Sequence, residues 1–354
     1  MSHGVIYAEG ANEGGTMAVQ QRATLADVAR LAGVSQKTAS RVFNQRELVS
    51  EDTVERVLDA STRLKFRPNT MARNLRAGGA TKTLGLIVGE LGNPFYYKVA
   101  AGLEKELSRH GYALVVASTD DSASGEARVA DALLGQRIDA LLIIPVADDQ
   151  SYLEGERQLG TPIIAIDRPA SNLVADSVVL DNRRGAYVAT RHLTNQGHRR
   201  IAYVCNPAGV YSQAERLAGY RRAMAEAGVA DTSAYEALED DRAVTPERMI
   251  RALLTSEAPP TAIVAGNNRV TVGALRVLKE LGDTATALIG VDDFDTADVI
   301  GVTVVSYDPT ELGRAAAEVA LERMRNPTAT PRQIVHPTWL VERGTGERPP
   351  KDTP

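Results

Sequence analysis

The spacing of apolar positions changes once along this chain, near residue 80. Between residues 24 and 66 they recur every three or four positions: Leu25, Val28, Ala29 and Ala32, then Ala39, Val42 and Phe43, then Val54, Val57 and Leu58. Each set is one face of a short helix, and the three faces together make a small core. From about Thr83 the pattern becomes short solid apolar runs at 84–88, 113–117, 140–144, 163–166, 201–204, 262–265 and 287–291, separated by amphipathic stretches such as 95–110. Solid runs of four or five residues predict strands buried on both faces, and their alternation with helices predicts parallel sheets covered by helices. The expected fold is therefore α+β and multidomain: an N-terminal three-helix domain, then an α/β body with parallel sheets.

The head has the punctuation of a helix-turn-helix. Thr24 caps the first helix, Gly33-Val34 makes the tight turn, and Ser35 caps a second helix over 36–44. Burying Ala39, Val42 and Phe43 leaves Gln36, Lys37, Ser40 and Arg41 facing outward. Gln pairs bidentately with adenine, and Lys or Arg reaches guanine or phosphate, so this face suits a DNA major groove. Ser50 caps a third helix whose first turn carries Glu51 and Asp52, complementing the dipole. Pro68 stops that helix, and residues 69–77 form a further helical stretch closed by Gly78-Gly79. Nine residues is short of the ~12–15 that an isolated helix needs in water, so this hinge helix requires DNA or a second copy to form. Leu75 on it is then free to wedge into a minor-groove step. A generic three-helix bundle would explain the capped helices, but not the polar outward face joined to that hinge.

Charge supports the split. Residues 17–79 carry eleven Lys/Arg against six Asp/Glu, whereas residues 80–354 carry 29 against 37. A basic head on an acidic body suits contact with phosphate at one end. The single cysteine, Cys205, has no partner for an internal disulfide. No apolar run reaches the ~18 residues of a membrane span, and residues 1–16 lack the pattern of a secretory leader, so a cytoplasmic protein is expected, with Met17 as an alternative start. His3, His110, His192, His198 and His336 show no metal-ligand spacing, and no phosphate loop or nucleophile elbow occurs. Neither catalysis nor a cofactor is expected. Polar residues fall at the carboxyl ends of the predicted strands, at Asn93-Pro94-Phe95, Asp167-Arg168, Asn267-Asn268 and Asp292-Asp293, where parallel sheets bind ligands. Singly, these residues could be turn caps; together they outline a pocket.

The stretches TLADVARLAGVS, SRVFN, VSEDT, RPN and MARNLRAG, then LGLIVGELGNPF, IDRP, GHRRIAYV, ERLAGYRRAM, IGVDDF and LVERGTG occur in an order that resembles the lac repressor/purine repressor family of bacterial transcription regulators. The resemblance covers residues 24–346. It implies a two-lobed, periplasmic-binding-protein-like body with a small molecule between the lobes. For the head it implies base reading by Gln36 and Lys37 with Arg41 one turn on. Thr24, Ser35, Thr38, Ser40 and Asn44 would hold phosphates or brace the reader, Leu75 would be the wedge, and Leu25, Asn69 and Ala72 complete the DNA-facing set. For the body it implies effector contacts by Phe95, Asp167, Arg216, Asn267, Asp292 and Tyr307. The chain organisation expected is a disordered extension (1–21), the helix-turn-helix domain (22–66), hinge helix and linker (67–80), effector-binding and dimerisation domain (81–346) and tail (347–354). Lobe one would comprise about 83–180 and 308–326, lobe two about 181–307 and 329–345. Departures from the family pattern are Ala39 for Val, Lys65 where Gly or Asn ends the third helix, Asn268 for Asp, and 239–242 without a stacking aromatic.

The function so implied is a ligand-responsive repressor. Its partners are a near-palindromic double-stranded operator, a sugar or related polyol, and a second copy of the chain, with no membrane. Apolar residues within 270–281 could serve the dimer or the core. No heptad leucines follow Trp339, so a tetramerising tail is not expected. Alternatives are a nucleobase- or nucleoside-responsive regulator, a sugar-binding protein without a DNA role, and a sugar-processing enzyme, the last opposed by the missing catalytic residues. Inducer or co-repressor logic stays open.

Overall fold

The structure, a computed structural model, describes residues 23–67, 80–205, 207–239, 241 and 243–351. The chain divides into two compact units, residues 1–79 and 80–354.

In the first unit, helices α1 (Leu25–Ala32), α2 (Gln36–Asn44) and α3 (Glu51–Arg63) surround Val28, Ala29, Ala39, Val42, Val54, Val57 and Ala60. Thr24 and Asp27 form a reciprocal capping box on α1, which satisfies two of the amide donors a helix leaves unpaired at its start. Gly33 closes α1 with φ +66°, and the Val34 amide donates back to the Ala29 carbonyl at 2.9 Å. This left-handed step is natural for glycine and turns the chain into α2. Arg56 on α3 donates to the Ala32 carbonyl at 3.3 Å, so the third helix caps the first. One expected core residue is misplaced: Leu58 is 38 % exposed, and Leu64 and Phe66 pack against the core instead. Phe66 is folded back because Lys65 takes the left-handed conformation.

The second unit holds two six-stranded sheets. The first lobe contains β1 (Thr83–Val88), α4 (Pro94–Arg109), β2 (Ala113–Ser118), α5 (Ala123–Leu134), β3 (Ala140–Ile143), α6 (Glu154–Gln158), β4 (Ile163–Asp167) and β5 (Asp176–Leu180). The chain then crosses to α7 (Asn182–Asn195), β6 (Ile201–Cys205), α8 (Tyr211–Glu226), β7 (Glu236–Leu238), α9 (Pro246–Leu254), β8 (Ala262–Ala265), α10 (Asn268–Glu280), β9 (Ala287–Val291) and β10 (Thr303–Ser306). It returns for α11 (Pro309–Arg325) and β11 (Gln333–His336), and crosses again into β12 (Trp339–Val341). Strand orders are β11-β5-β4-β3-β1-β2 and β12-β10-β9-β8-β6-β7. Every pairing is parallel except β10 with β12.

Period-two alternation explains the layers. Leu84, Leu86 and Val88 face α4 and α11, while Ile87 faces α5 through Val129 and Leu133. Helices α4 and α11 cross at glycines: a β-carbon on Gly102 would lie 2.0 Å from the Thr310 carbonyl oxygen, and one on Gly313 2.1 Å from that of Val99.

The expected return to lobe two at 327–329 is too early. Residues 333–336 pair with β5 in the first sheet, so lobe one keeps the chain through His336. This edge strand alternates exposed and half-buried positions, and so gives no solid apolar run to read. Residues 344–351 then fold along lobe two: Gln196 donates to the Gly346 carbonyl, His198 Nε2 lies 2.8 Å from the Arg348 carbonyl, and Lys351 pairs with Asp283 at 2.8 Å.

Candidate functional site

On the head, Ser35 accepts from the Thr38 amide at 3.1 Å and its hydroxyl lies 2.8 Å from that of Thr38. These bonds fix the start of α2. Gln36, Lys37, Arg41 and Asn44 are exposed, Thr38 and Ser40 partly so, and the first turn carries no carboxylate. Gln36, Ser40 and Asn44 form one row at four-residue spacing, braced by an Asn44-to-Ser40 hydrogen bond of 3.1 Å; Lys37 and Arg41 form the neighbouring row. The face is cationic and rich in donors. Leu25 is half-buried against the core, while Thr24 is exposed in its capping box. Asn69, Ala72 and Leu75 lie outside the described residues.

In the body, the carboxyl ends of both sheets meet a cleft of about 640 Å³ lined from both lobes. All six body residues singled out from the sequence line it: Phe95, Asp167, Arg216, Asn267, Asp292 and Tyr307. Asp167 ends β4 and Asp292 follows β9, so the lobes place an aspartate at matching strand ends. Both hold left-handed backbone, φ +68° and +69°. Such conformations are uncommon outside glycine, though Asp tolerates them better than most residues, and they turn the carboxylates into the cleft.

Arg216 projects from α8 and is 95 % buried, with only 5 % exposure. Its Nε donates to Asn182 Oδ1 and its Nη1 to the Gly266 carbonyl, both at 2.7 Å, while Nη2 stands 3.5 Å from Asp292 Oδ1. Burial works against this cation, but the Asp292 and Asp167 carboxylates outweigh it and raise its pKa further. Tyr307 donates its hydroxyl to Asp292 at 2.9 Å. Burial first, and then the Asp292 charge, push that phenol well above its ordinary value, so it stays protonated. Phe95 stands edge-on to Tyr307 with ring centroids 6.0 Å apart. Asn267 caps α10 by accepting from the Val270 amide at 2.9 Å.

Beyond the six effector positions, the structure brings further side chains to the cleft and its wall. Gln213 lies one turn before Arg216 and donates to the same Gly266 carbonyl at 3.0 Å; the i,i+3 spacing was the available signal. Arg168 holds Asp167 at 3.0 Å. Asn182 has no local motif and is found only through its bond to Arg216. Outside the cleft, His192, Glu342 and Glu347 bring ligand-type atoms within 4.8 Å of one another. Glu347 already accepts from Thr303 and from the Gly344 amide, which makes this trio an anchor for the C-terminal segment.

The cleft thus offers two carboxylates as acceptors, a guanidinium with spare donors, and aromatic edges. This is a set for a small, neutral, many-hydroxyl ligand, and its volume falls in the ordinary range of small-molecule sites.

Residues 24–69 match the bacterial regulatory proteins of the lacI family, and residues 81–343 match the periplasmic binding proteins and sugar binding domain of the LacI family. The chain is 31 % identical to the ribose operon repressor of Escherichia coli K12 over 329 residues, covering 91 % of this chain and 99 % of that one. It is equally 31 % identical to the transcriptional repressor PurR of Vibrio campbellii over 332 residues, covering 91 % and 98 %. Among solved structures it resembles the lac repressor dimer bound to operator and an anti-inducer, with 26 % identity, a TM-score of 0.80, and coverage of 92 % and 99 %.

Proposed function

This chain belongs to the LacI family of bacterial regulatory proteins, and from that premise we propose that it represses a sugar-utilisation operon, its grip on DNA set by a monosaccharide in the interlobe cleft. It is a DNA-binding transcription regulator of the two-part kind, and its relatives are repressors rather than enzymes. Its partners are operator DNA, a small-molecule effector and a second copy of the chain.

The pair of strand-end aspartates beside buried Arg216 carries the sugar reading. Vicinal hydroxyls supply donors in pairs, which carboxylates accept, and they also accept from the guanidinium. A pentose is the first candidate, because relatives of comparable identity include ribose operon repressors. A nucleobase is the second reading, supported by the PurR relatives and by Phe95, Phe294 and Tyr307 lining the same cleft. Thermal melting with D-ribose, other pentoses and hexoses, hypoxanthine and guanine separates the two. A ligand at 100 times its Kd stabilises by about 2.7 kcal/mol. Stabilisation by a sugar and not by the bases supports the first reading; the reverse pattern installs the second.

On the DNA side, the reader helices of two copies occupy successive major grooves ~34–36 Å apart. Gln36 and Lys37 read bases with Arg41 one turn on, Thr24, Ser35, Thr38, Ser40 and Asn44 hold phosphates or brace the reader, and Leu25 belongs to the same DNA-facing set. The segment 67–80 acts as hinge, with Asn69, Ala72 and Leu75 toward the minor groove. Effector binding acts by preferring one arrangement of the lobes, which shifts the population that can hold the operator. A protein working on DNA in this way operates in the cytoplasm; among the described residues no helix is long and apolar enough to cross a membrane.

A further inference from the structure

Four contacts bridge the two lobes along one seam of the cleft. Glu90, in the loop after β1, pairs with Arg269 at the start of α10. Asn268 donates to Asn93 Oδ1 at 3.2 Å. Lys98 on α4 pairs with Asp295 at 2.8 Å, and the Tyr97 hydroxyl lies 3.4 Å from the same carboxylate. Glu90, Asn93, Tyr97 and Lys98 belong to lobe one; Asn268, Arg269 and Asp295 belong to lobe two. Among the described residues, the Glu90–Arg269 and Lys98–Asp295 pairs are the ion pairs that span the cleft.

Arg269 is the informative member. It is the second residue of α10, whose first turn has no acidic side chain. A cation there opposes the helix dipole, which favours negative charge at an N-terminus. Nothing in its own helix accounts for it; the compensating charge is on the other lobe, Glu90 in direct contact and Asp121 at longer range. When the lobes separate, Arg269 keeps the unfavourable dipole and loses the carboxylate. The pair therefore has different energies in the two arrangements, the condition for shifting an equilibrium between them.

We propose that Glu90 and Arg269 form an electrostatic latch that holds the lobes together in the absence of effector, with Lys98–Asp295 as its second point. They are positioning residues for effector capture: the latch sets how often the cleft is assembled, and apparent affinity scales with that fraction. Both pairs are partly exposed, with Arg269 at 55 % and Asp295 at 66 % of side-chain exposure, so salt weakens the latch. It acts whatever the effector is, and its test uses none, so a failed sugar assignment leaves it intact.

The test is hydrogen exchange by mass spectrometry on the full-length, ligand-free protein. Amides of residues 89–98 and 266–271 are followed in the wild type, Glu90→Gln, Arg269→Gln, and the exchanged pair Glu90→Arg with Arg269→Glu. Each single variant is expected to exchange about two- to fivefold faster in these segments, as for loss of a partly exposed pair. The core strands 140–143 and 262–265 and the melting temperature should stay unchanged. The exchanged pair should restore protection, and raising NaCl from about 0.05 to 0.5 M should loosen the wild type more than the single variants, which keep only Lys98–Asp295. Unchanged exchange in the single variants, or equal loosening in the exchanged pair, overturns the latch.

Discussion

Arg216 is the residue on which the cleft turns. Three of its nitrogens are engaged by Asn182, Gly266 and Asp292, so its plane is set before any ligand arrives. Arg216→Ala is expected to abolish measurable effector binding by calorimetry. It should also cost about 3–5 kcal/mol in urea unfolding, because a nearly buried carboxylate loses its cation. Arg216→Lys should recover most of that stability but little affinity, since an ammonium lacks the planar fork. Full binding by Arg216→Ala would remove the residue from the site. A second residue-scale expectation concerns His198, which is buried between Thr261 and the Arg348 carbonyl. Burial lowers its pKa below the ordinary 6.5, against the raising effect of the Arg348 carbonyl. The unfolded chain therefore takes up the proton first. The stabilisation is whole above pH 6.5 and shrinks as the pH falls toward the folded-state value. Amide protection of residues 345–351 should drop as the pH falls below about 6.5 in the wild type and drop less in His198→Gln.

Among the elements, α3 shows what a single terminal residue does. Lys65 adopts φ +50°, and the Lys65 and Phe66 amides donate to the Thr62 and Ser61 carbonyls at 3.1 and 2.9 Å. This is the left-handed helix stop that glycine usually makes, with Phe66 folded onto the core. Lys65→Gly should raise the stability of the head by about 0.5–1 kcal/mol, since a side chain in that conformation is strained by roughly 1–2 kcal/mol and glycine returns part of this as unfolded-state entropy. The melting transition assigned to the head by its exchange behaviour measures it; an unchanged or lower transition refutes the strain. Lys65 was visible in the sequence as a departure from Gly or Asn, but its positive φ was not. Leu58 was misjudged for a related reason. Helical period alone places it beside Val57, and only the return of Phe66 shows that the core was already covered.

For the whole molecule, the expectation is a salt-dependent, sequence-selective grip on duplex DNA. With an operator selected from random duplexes, the logarithm of the binding constant should fall linearly with log salt, at about −0.9 per phosphate neutralised. Lys37→Ala should change base preference at one position by ~1–3 kcal/mol; if it merely lowers the salt slope by about one, Lys37 holds phosphate instead. Effector should move the binding curve of a dimer and leave isolated half-site binding alone, because coupling requires two lobe arrangements that present the paired heads differently.

Local physics determined much of this protein from the residues alone. Capping residues, the Gly33 turn and the three-four apolar spacing specify the head, because helix starts, stops and faces are properties of short segments. Solid apolar runs specified most of the buried parallel strands, and the polar ends of those strands pointed to Phe95, Asp167, Asn267 and Asp292 in the cleft, whereas Arg216 and Tyr307 were implied only by the family resemblance. What the tertiary structure decided was everything set by partners distant in sequence. The edge strands β7 and β11 have no solid apolar run, so pairing with β6 and β5 defines them and moves the last crossing past His336. Asn182 and Gln213 join the site only because the fold brings them to Arg216 and Gly266. Arg269 looks misplaced on its own helix until Glu90 of the other lobe stands opposite, an interaction across 179 positions that no local pattern encodes.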